Sequence, residues 1–378
     1  MKKLKTLKTF PLLALLFFAC ATLLDAAWTR KRISNNDGRS DWPALATSGD
    51  YVYVAWIDNT PGNDEIYFRR SIDNGSTWVS KKQLTNTADI SSEPRIAVSG
   101  AYVYVAWYDK TPGNYEIYFR RSSDNGATWD SIKRLTNTAG NSNRPHIVAS
   151  GSNVYVAWHD DTPGNWEVYF RRSIDNGSTW KSAKRITNTA ADSLNPDIAV
   201  DGGNVYLAWW DGETGSRQLY FRKSGNWGAA WDAAQQLTPT AYDCAYAYIA
   251  LGGSTIYLAF RGDSSVDYDI LFSKSEDNGS TWSSLQQVSD TGSYGTLWGM
   301  AAKNAKVYLV WHDGSGHHNV YSQKSADGGD TWKSAQRLTY GTGSFEYPHV
   351  CLGAVNVFVV YYDNTVGDME VYVKYKPH

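Results

Sequence analysis

The feature that most constrains this chain is a period. The segment VYVAW ends at Trp56, Trp107 and Trp158, then returns as VYLAW at Trp209, IYLAF at Phe260, VYLVW at Trp311 and VFVVY at Tyr361, seven copies in all. A second landmark tryptophan recurs at 28, 78, 129, 180, 231, 282 and 332, so neighbouring copies lie 50, 51, 51, 51, 51 and 50 residues apart. Such self-similarity means one supersecondary unit used repeatedly, each burying its apolar faces against its neighbours. Within a unit, an alternating strand such as Pro94 to Val98 leads through a Ser99-Gly100 turn into VYVAW. A Pro-Gly loop, the strand EIYFRRS, a tight turn and a strand beginning at the second tryptophan follow. Four short antiparallel strands per unit predict propeller blades, so the expected fold is all-β, a seven-bladed β-propeller. Pro112-Gly113 is expected at the two central positions of a type II turn, since proline presets φ and glycine accepts a positive one.

The ends of the chain complete the ring. Trp28 to Ser34 aligns with a fourth strand, Trp180 to Thr187, whereas the C-terminal unit stops after its third, Glu370 to Lys374. Strand 28–34 is therefore expected to complete the blade formed by about 345–375, which removes two exposed edges at once. Ahead of it stand Lys2, Lys3, Lys5 and Lys8, the apolar run Phe10 to Phe18, and small residues at Ala19, Ala21, Ala26 and Ala27. That order reads as an export signal, giving a signal peptide over 1–27, a single propeller domain over 28–378, and a secreted or cell-envelope location. Cys20, after Phe17-Phe18-Ala19, partly resembles a bacterial lipoprotein box and is a candidate lipid anchor. Cys244 and Cys351 fall in blades that do not touch, so no disulfide is expected. No later apolar stretch reaches the roughly 18 residues of a membrane span. A net charge of -2 with both signs interspersed leaves no footprint for nucleic acid.

The turn between third and fourth strands carries Ser71-Ile72-Asp73-Asn74-Gly75-Ser76-Thr77-Trp78. Intact copies recur at Ser122 to Trp129, Ser173 to Trp180, Ser275 to Trp282 and Ser325 to Trp332, and a copy at Ser224 to Trp231 lacks the aspartate. This motif resembles the Asp-box, or BNR repeat, of the sialidase superfamily, and the resemblance covers the whole chain after the signal. Asp73, Asp124, Asp175, Asp277 and Asp327 are expected to be structural: the carboxylate accepts N–H bonds within the hairpin, glycine supplies a positive φ, and tryptophan packs between blades. The resemblance implies that these turns lie on the face opposite the functional site. Sialidases of this type have six blades, and the same box occurs in glycosidases, lyases, lectins and sorting receptors, so function has to be argued from the site.

The units disagree at three places. Two positions flank the proline that opens the first strand, and one follows the VYVAW strand. In chain order they hold Trp42, Ala44 and Ile57; Glu93, Arg95 and Tyr108; Arg144, His146 and His159; Asn195, Asp197 and Trp210; Tyr246, Tyr248 and Arg261; Leu297, Gly299 and His312; Tyr347, His349 and Tyr362. These strand ends are expected to ring the mouth of the central channel. Drift on solvated loops would favour Ser, Thr and Lys over the Trp, Tyr, His and Arg found here. The expected ligand is a glycan or polysaccharide, stacked on rings and held through an anionic group by guanidinium, with Arg95, Tyr108, Arg144, His146, His159, Trp210, Tyr246, Tyr248, Arg261, His312, His349 and Tyr362 as the candidate contacts.

Three functions fit these residues. The first is a glycan-binding propeller without catalysis. The second is a sialidase-like hydrolase, in which Arg95, Arg144 and Arg261 would hold a carboxylate and Glu93 would activate Tyr347 or Tyr362; here the resemblance falters, since Arg95-Ile96-Ala97 has its proline before the arginine. The third is a uronate polysaccharide lyase with His146 or His159, Tyr246 or Tyr248, and Arg261 as base, acid and cation. Asp58, Asp109, Asp160, Asp211, Asp313 and Asp363 follow the second strand, with Glu65 or Glu116 across the loop. Each reads as capping its own turn, with a calcium loop as the alternative. His317-His318 has no obvious third ligand, so neither metal nor other cofactor is expected.

Overall fold

The protein is described by a computed structural model over residues 27–213, 215–239, 243–263, 268–289, 295–314 and 318–378. The export segment up to residue 26, Cys20 within it, and His317 lie outside the described residues. The strands form seven four-stranded antiparallel sheets, and no described helix is long and apolar enough to cross a membrane. Blade 2 consists of Ser91–Ser99, Tyr102–Asp109, Glu116–Ser122 and Lys133–Arg134. Blades 1 and 3 to 6 repeat this plan over 40–83, 142–185, 193–236, 243–287 and 296–337. Blade 7 takes three strands from 345–377 and its fourth, Thr29–Arg32, from the N-terminus, with Thr29 opposite Tyr375 and Arg32 opposite Tyr372. Arg30 and Arg32 then pair with the buried Asp363 and Glu370, fixing the closing strand by charge as well as by its ladder.

Two details differ from the sequence reading. In blades 1 to 6 the fourth strand is only two residues long and starts after the landmark tryptophan; in blade 2 Trp129 turns aside to pack edge-on against Phe68 of blade 1, with ring centroids 4.9 Å apart. The loop turn also sits one residue earlier than expected. Gly113 N–H donates to Lys110 O at 2.8 Å, so Thr111 and Pro112 are central and Gly113, with φ 106, follows them. Asp109 sets this frame, since its Oδ1 accepts the Thr111 N–H at 2.8 Å while Oδ2 accepts the Ser91 hydroxyl at 2.7 Å. Asp58, Asp160, Asp211 and Asp363 cap their turns in the same way.

The second strand is buried on both faces, which explains its unbroken apolar run. In blade 2, Val103, Val105 and Trp107 face Tyr53, Ala55 and Ile57 of blade 1, and Tyr104 and Ala106 face Val154, Val156 and Trp158 of blade 3. Both interfaces therefore set small residues against a tryptophan. Cys244 and Cys351 are free.

The Asp-box joins blades as well as closing hairpins. Asp175 Oδ1 accepts the Thr179 N–H at 2.8 Å and the Ser173 hydroxyl at 2.7 Å, and Oδ2 accepts the Thr179 hydroxyl at 2.6 Å. In the second copy Gly126 holds φ 81, and a Cβ there would lie 2.6 Å from the Phe68 ring of blade 1, so both conformation and space demand glycine. In blade 4, Asn226 stands in for the aspartate and still accepts the Ala230 N–H at 2.7 Å and the Ser224 hydroxyl at 2.9 Å.

The hydrogen bonds to the Asp-box carboxylates hold Asp124, Asp175, Asp277 and Asp327 at about 2, below the ordinary carboxylate value. A depressed folded-state pKa stabilises the fold above the unfolded value of about 3.9, and this contribution is lost as pH falls through 2. Asp175→Asn should therefore keep most of the stability at pH 7 while softening the loss between pH 4 and 2. Asp175→Ala should lose about 1 kcal/mol at pH 7, the worth of the missing bonds. Urea unfolding of the two variants across this pH range checks both outcomes.

Candidate functional site

Register decides which face the variable residues share. Within blade 2, Val103 lies opposite Ser122 at the Asp-box end, and Tyr108 lies opposite Ile117 at the other end. The variable positions therefore sit at the end remote from the Asp-boxes. There the first strand of every blade carries an extra residue: in blade 2, Ser92 pairs with Tyr108 and Arg95 with Ala106, so Glu93 and Pro94 together oppose Trp107. Such a bulge re-aims a side chain out of the sheet. It also places Trp42, Glu93, Arg144, Asn195, Tyr246 and Tyr347 at φ 47 to 53, left-handed backbone that non-glycine residues avoid. The same left-handed strain is thus repeated in six blades at one rim.

Two residues further on, Ala44, Arg95, His146, Asp197, Tyr248, Gly299 and His349 line the channel around a cavity of about 170 Å³. Next to it, Arg95, Arg144, His146, Asn195, Tyr246, Tyr248 and Trp298 surround a smaller pocket. The two halves of the mouth differ in chemistry. On the side of blades 2 to 4, Arg144 Nε lies 3.7 Å from Glu93 Oε2 and its Nη1 donates to Asn195 Oδ1 at 3.3 Å. Burial works against the Arg144 charge, but Glu93 and nearby tyrosines outweigh it and hold its pKa above the ordinary value. His146 Nδ1 lies 2.7 Å from Asp197 Oδ1, and the Asp197 carboxylate is itself fixed by the N–H groups of Ile198 and Ile249 at 2.8 and 2.9 Å. With Nδ1–H donating to that carboxylate, Nε2 carries the lone pair, toward which Arg95 Nε points from 3.4 Å.

Several candidates lie beneath this surface. His159 is 3% exposed and its Nδ1 accepts the Asn195 N–H at 3.2 Å. Burial, with help from Arg144 and His146, keeps it well below the ordinary imidazole value and so neutral. His349 is neutral for a similar reason, buried beside Arg95 and His146. Burial raises the Tyr248 hydroxyl above its ordinary value and pushes Tyr108 up to about 12, so both stay protonated.

The other half of the mouth is aromatic. Trp42 of blade 1 stacks on Tyr347 of blade 7 with centroids 3.9 Å apart, and Trp298 of blade 6 meets Tyr347 at 4.4 Å, Tyr246 at 5.2 Å and Trp42 at 5.9 Å. Trp298 was not among the sequence candidates. In blade 6 the variable positions were Leu297, Gly299 and His312, with His312 the candidate contact, yet Leu297 is fully buried in the core and Trp298 supplies the rim side chain. The available signal was an aromatic residue standing where five other blades have proline. Arg261 lies over the Tyr246 ring at 5.3 Å, Trp210 under Arg217 at 5.6 Å and Tyr108 edge-on to Tyr115 at 5.0 Å; none of the three lines either cavity. Tyr362 and His312 are buried beside the aromatic wall.

A model of the BNR repeat-like domain matches residues 101–298, more than half of the chain. The chain belongs to the BNR repeat-like family. No curated protein matches this BNR repeat-like propeller in sequence. Among solved structures it resembles a protein of unknown function from Dyadobacter fermentans, at 14% identity and TM-score 0.58 over 92% of this chain and 98% of that one. It also resembles a polysaccharide lyase described as an ulvan lyase, at 11% identity and TM-score 0.61 over 89% and 93% of the two chains. A sialidase from Trypanosoma rangeli follows at 12% identity and TM-score 0.53, covering 93% of this chain and 60% of that one. At these identities the likeness is one of fold.

The strained rim of the BNR repeat-like propeller gives a direct test of whether stability has been traded for side-chain placement. Glu93→Gly removes the left-handed strain at φ 49 and should raise stability by about 0.5 kcal/mol, the relief being partly offset by glycine's greater backbone entropy. Urea unfolding at neutral pH measures it, and a loss of stability would show that Glu93 contributes more through Arg144 than its backbone withholds.

Proposed function

We propose that this propeller binds an acidic polysaccharide across the channel mouth and cleaves it beside a uronate by β-elimination. One observation carries the reading: the Asp197–His146 couple opens onto the pocket that also holds Arg144 and the protonated Tyr248. The reaction needs a cation to hold the uronate carboxylate, a base for the proton beside it and an acid for the leaving oxygen. In this assignment Arg144, with Arg95 behind it, takes the carboxylate. His146 Nε2, its ring held in place by Asp197, removes the α-proton once Arg95 turns from it to the carboxylate. As that C–H bond breaks, its electrons form the new carbon–carbon double bond, the glycosidic carbon–oxygen bond opens, and Tyr248, or Tyr246 beside it, donates a proton to the leaving oxygen. His159 holds the Asn195 backbone rather than acting as the base, since it is buried with its Nδ1 lone pair already engaged.

The aromatic half would carry the neighbouring sugars. Stacking of Trp42 on Tyr347, with Trp298 edge-on, offers flat apolar faces next to the charged half. A similar fold solved as an ulvan lyase with a bound [GlcA(1-4)Rha3S] chain supports the substrate class. The sialidase alternative is less well supported: burial pushes Tyr347 up to about 12 and Tyr362 higher still, opposite to the activation a tyrosine nucleophile requires. Arg261 also stands apart from Arg95 and Arg144, lying over Tyr246. The lysine-rich, then apolar N-terminus supports action outside the cytoplasm.

Incubation with uronate-containing polymers should generate the ultraviolet absorbance of an unsaturated uronate. His146→Ala and Tyr248→Phe should each lower the rate by about a hundredfold or more, the scale of general acid–base catalysis. Asp197→Asn should reduce it less, because the histidine would remain in place. Saturable binding with no product from any uronate polymer would leave a glycan-binding propeller and sink the lyase reading.

A further inference from the structure

Away from the acid–base pocket, three potential metal ligands from two blades converge. His312 ends the second strand of blade 6, His318 precedes its third strand, and Glu346 lies in the first strand of blade 7. One ligand atom from each lies within 4.8 Å of the others. His318 Nδ1 is 3.4 Å from Glu346 Oε1, and the two imidazole rings meet edge-on with centroids 5.1 Å apart. Nothing else engages the Nδ1 atoms: those of His312 and His318 are buried without a hydrogen-bond partner, and His312 is 7% exposed. His318 also holds φ 38, a strained conformation for a residue with a Cβ.

We infer that His312, His318 and Glu346 form a zinc site at the junction of blades 6 and 7, and that loading it releases Trp298 from His312. Two imidazoles and a carboxylate, with a fourth position left to water, are a donor set zinc accepts; calcium prefers oxygen ligands throughout. Tetrahedral zinc brings donor atoms to roughly 3.4 Å from one another, a contraction within reach of side-chain rotation at His318 and Glu346. The coupling follows from proton placement. Trp298 Nε1–H donates to His312 Nε2 at 3.2 Å, and since indole only donates, His312 carries its proton on Nδ1. Zinc on Nε2 displaces the indole directly. Zinc on Nδ1 moves the proton to Nε2, where N–H would face N–H. Either way the Trp298 bond breaks, and Trp298 is the residue that ties the aromatic wall together. The site is independent of whether the propeller is a lyase, because its readout is metal uptake.

The test uses the purified protein after chelator treatment, titrated with Zn2+ alone and followed by calorimetry and elemental analysis. One zinc per chain is expected in the wild type, with His318→Ala and Glu346→Gln each abolishing stoichiometric uptake while leaving the metal-free thermal unfolding curve unchanged. Trp298→Phe should tighten binding by roughly fivefold, having no hydrogen bond to break. Absence of uptake by the wild type, or uptake indifferent to His318→Ala, would overturn the site. Unchanged affinity in Trp298→Phe would overturn the coupling.

Discussion

Among the described residues neighbouring blades share no ladder, only single backbone bonds such as Ser91 N–H to Asp64 O at 2.8 Å, so side chains carry most of the contact around the ring, and the two basic residues that end most third strands do much of this. In blade 3, Arg171 reaches back to the Leu135 carbonyl of blade 2, and Arg172 reaches forward to the Asp-box backbone of blade 4, donating to Trp227 O at 2.5 Å. Arg120 and Arg121 repeat the arrangement one blade earlier, and Arg222 and Lys223 one blade later. Between these polar ties, Phe170 meets Trp231 edge-on at 5.1 Å, and equivalent pairs recur from Phe68–Trp129 to Phe272–Trp332. Blades 2 to 4 therefore each carry a donor for the next repeat and an acceptor for the one before. A closed ring leaves none of these groups without a partner repeat, which is why the N-terminal strand has to enter blade 7.

Because the clamps sit at the Asp-box end, the opposite end is free to vary. The bulge at the start of each first strand keeps its register whatever residue occupies it, as the same shift occurs at Trp42, Glu93, Arg144, Asn195 and Tyr347. Blade 6 preserves the bulge without proline and turns Trp298 into the mouth. The scaffold thus presents seven independent positions around one cavity, and chemistry can be assembled from different blades without disturbing the core.

That division explains what could be read from the sequence. Blade number, strand order, the structural part played by Asp175 and the closing strand were all legible, because each rests on a repeated pattern that seven copies over-determine. Trp298 was not legible, since aligning copies around a shared proline makes its replacement look like a gap in the pattern instead of a new side chain. The one-residue shift of the Pro-Gly turn was hidden for a different reason: it depends on Asp109 accepting the Thr111 N–H, a contact that turn propensities do not encode. The union of His312 and His318 with Glu346 across a blade junction is long-range geometry, invisible to spacing within one repeat.

Electrostatics at the mouth follows from the same geometry. Packing strand ends around a narrow axis buries titratable groups close together, and burial favours whichever form is uncharged. His159 and His349 are held neutral and Tyr248 protonated, whereas Arg144 keeps its charge because Glu93 and tyrosine hydroxyls surround it. His146 differs from the other two histidines in having a carboxylate at hydrogen-bond distance, one already anchored by two backbone N–H groups and so unable to swing away. An anchored acceptor fixes the imidazole's orientation and leaves its other nitrogen directed at the pocket. Of the variable residues around the ring, His146 is therefore the one whose imidazole is oriented by an anchored carboxylate, and the protonated Tyr248 lines the same pocket.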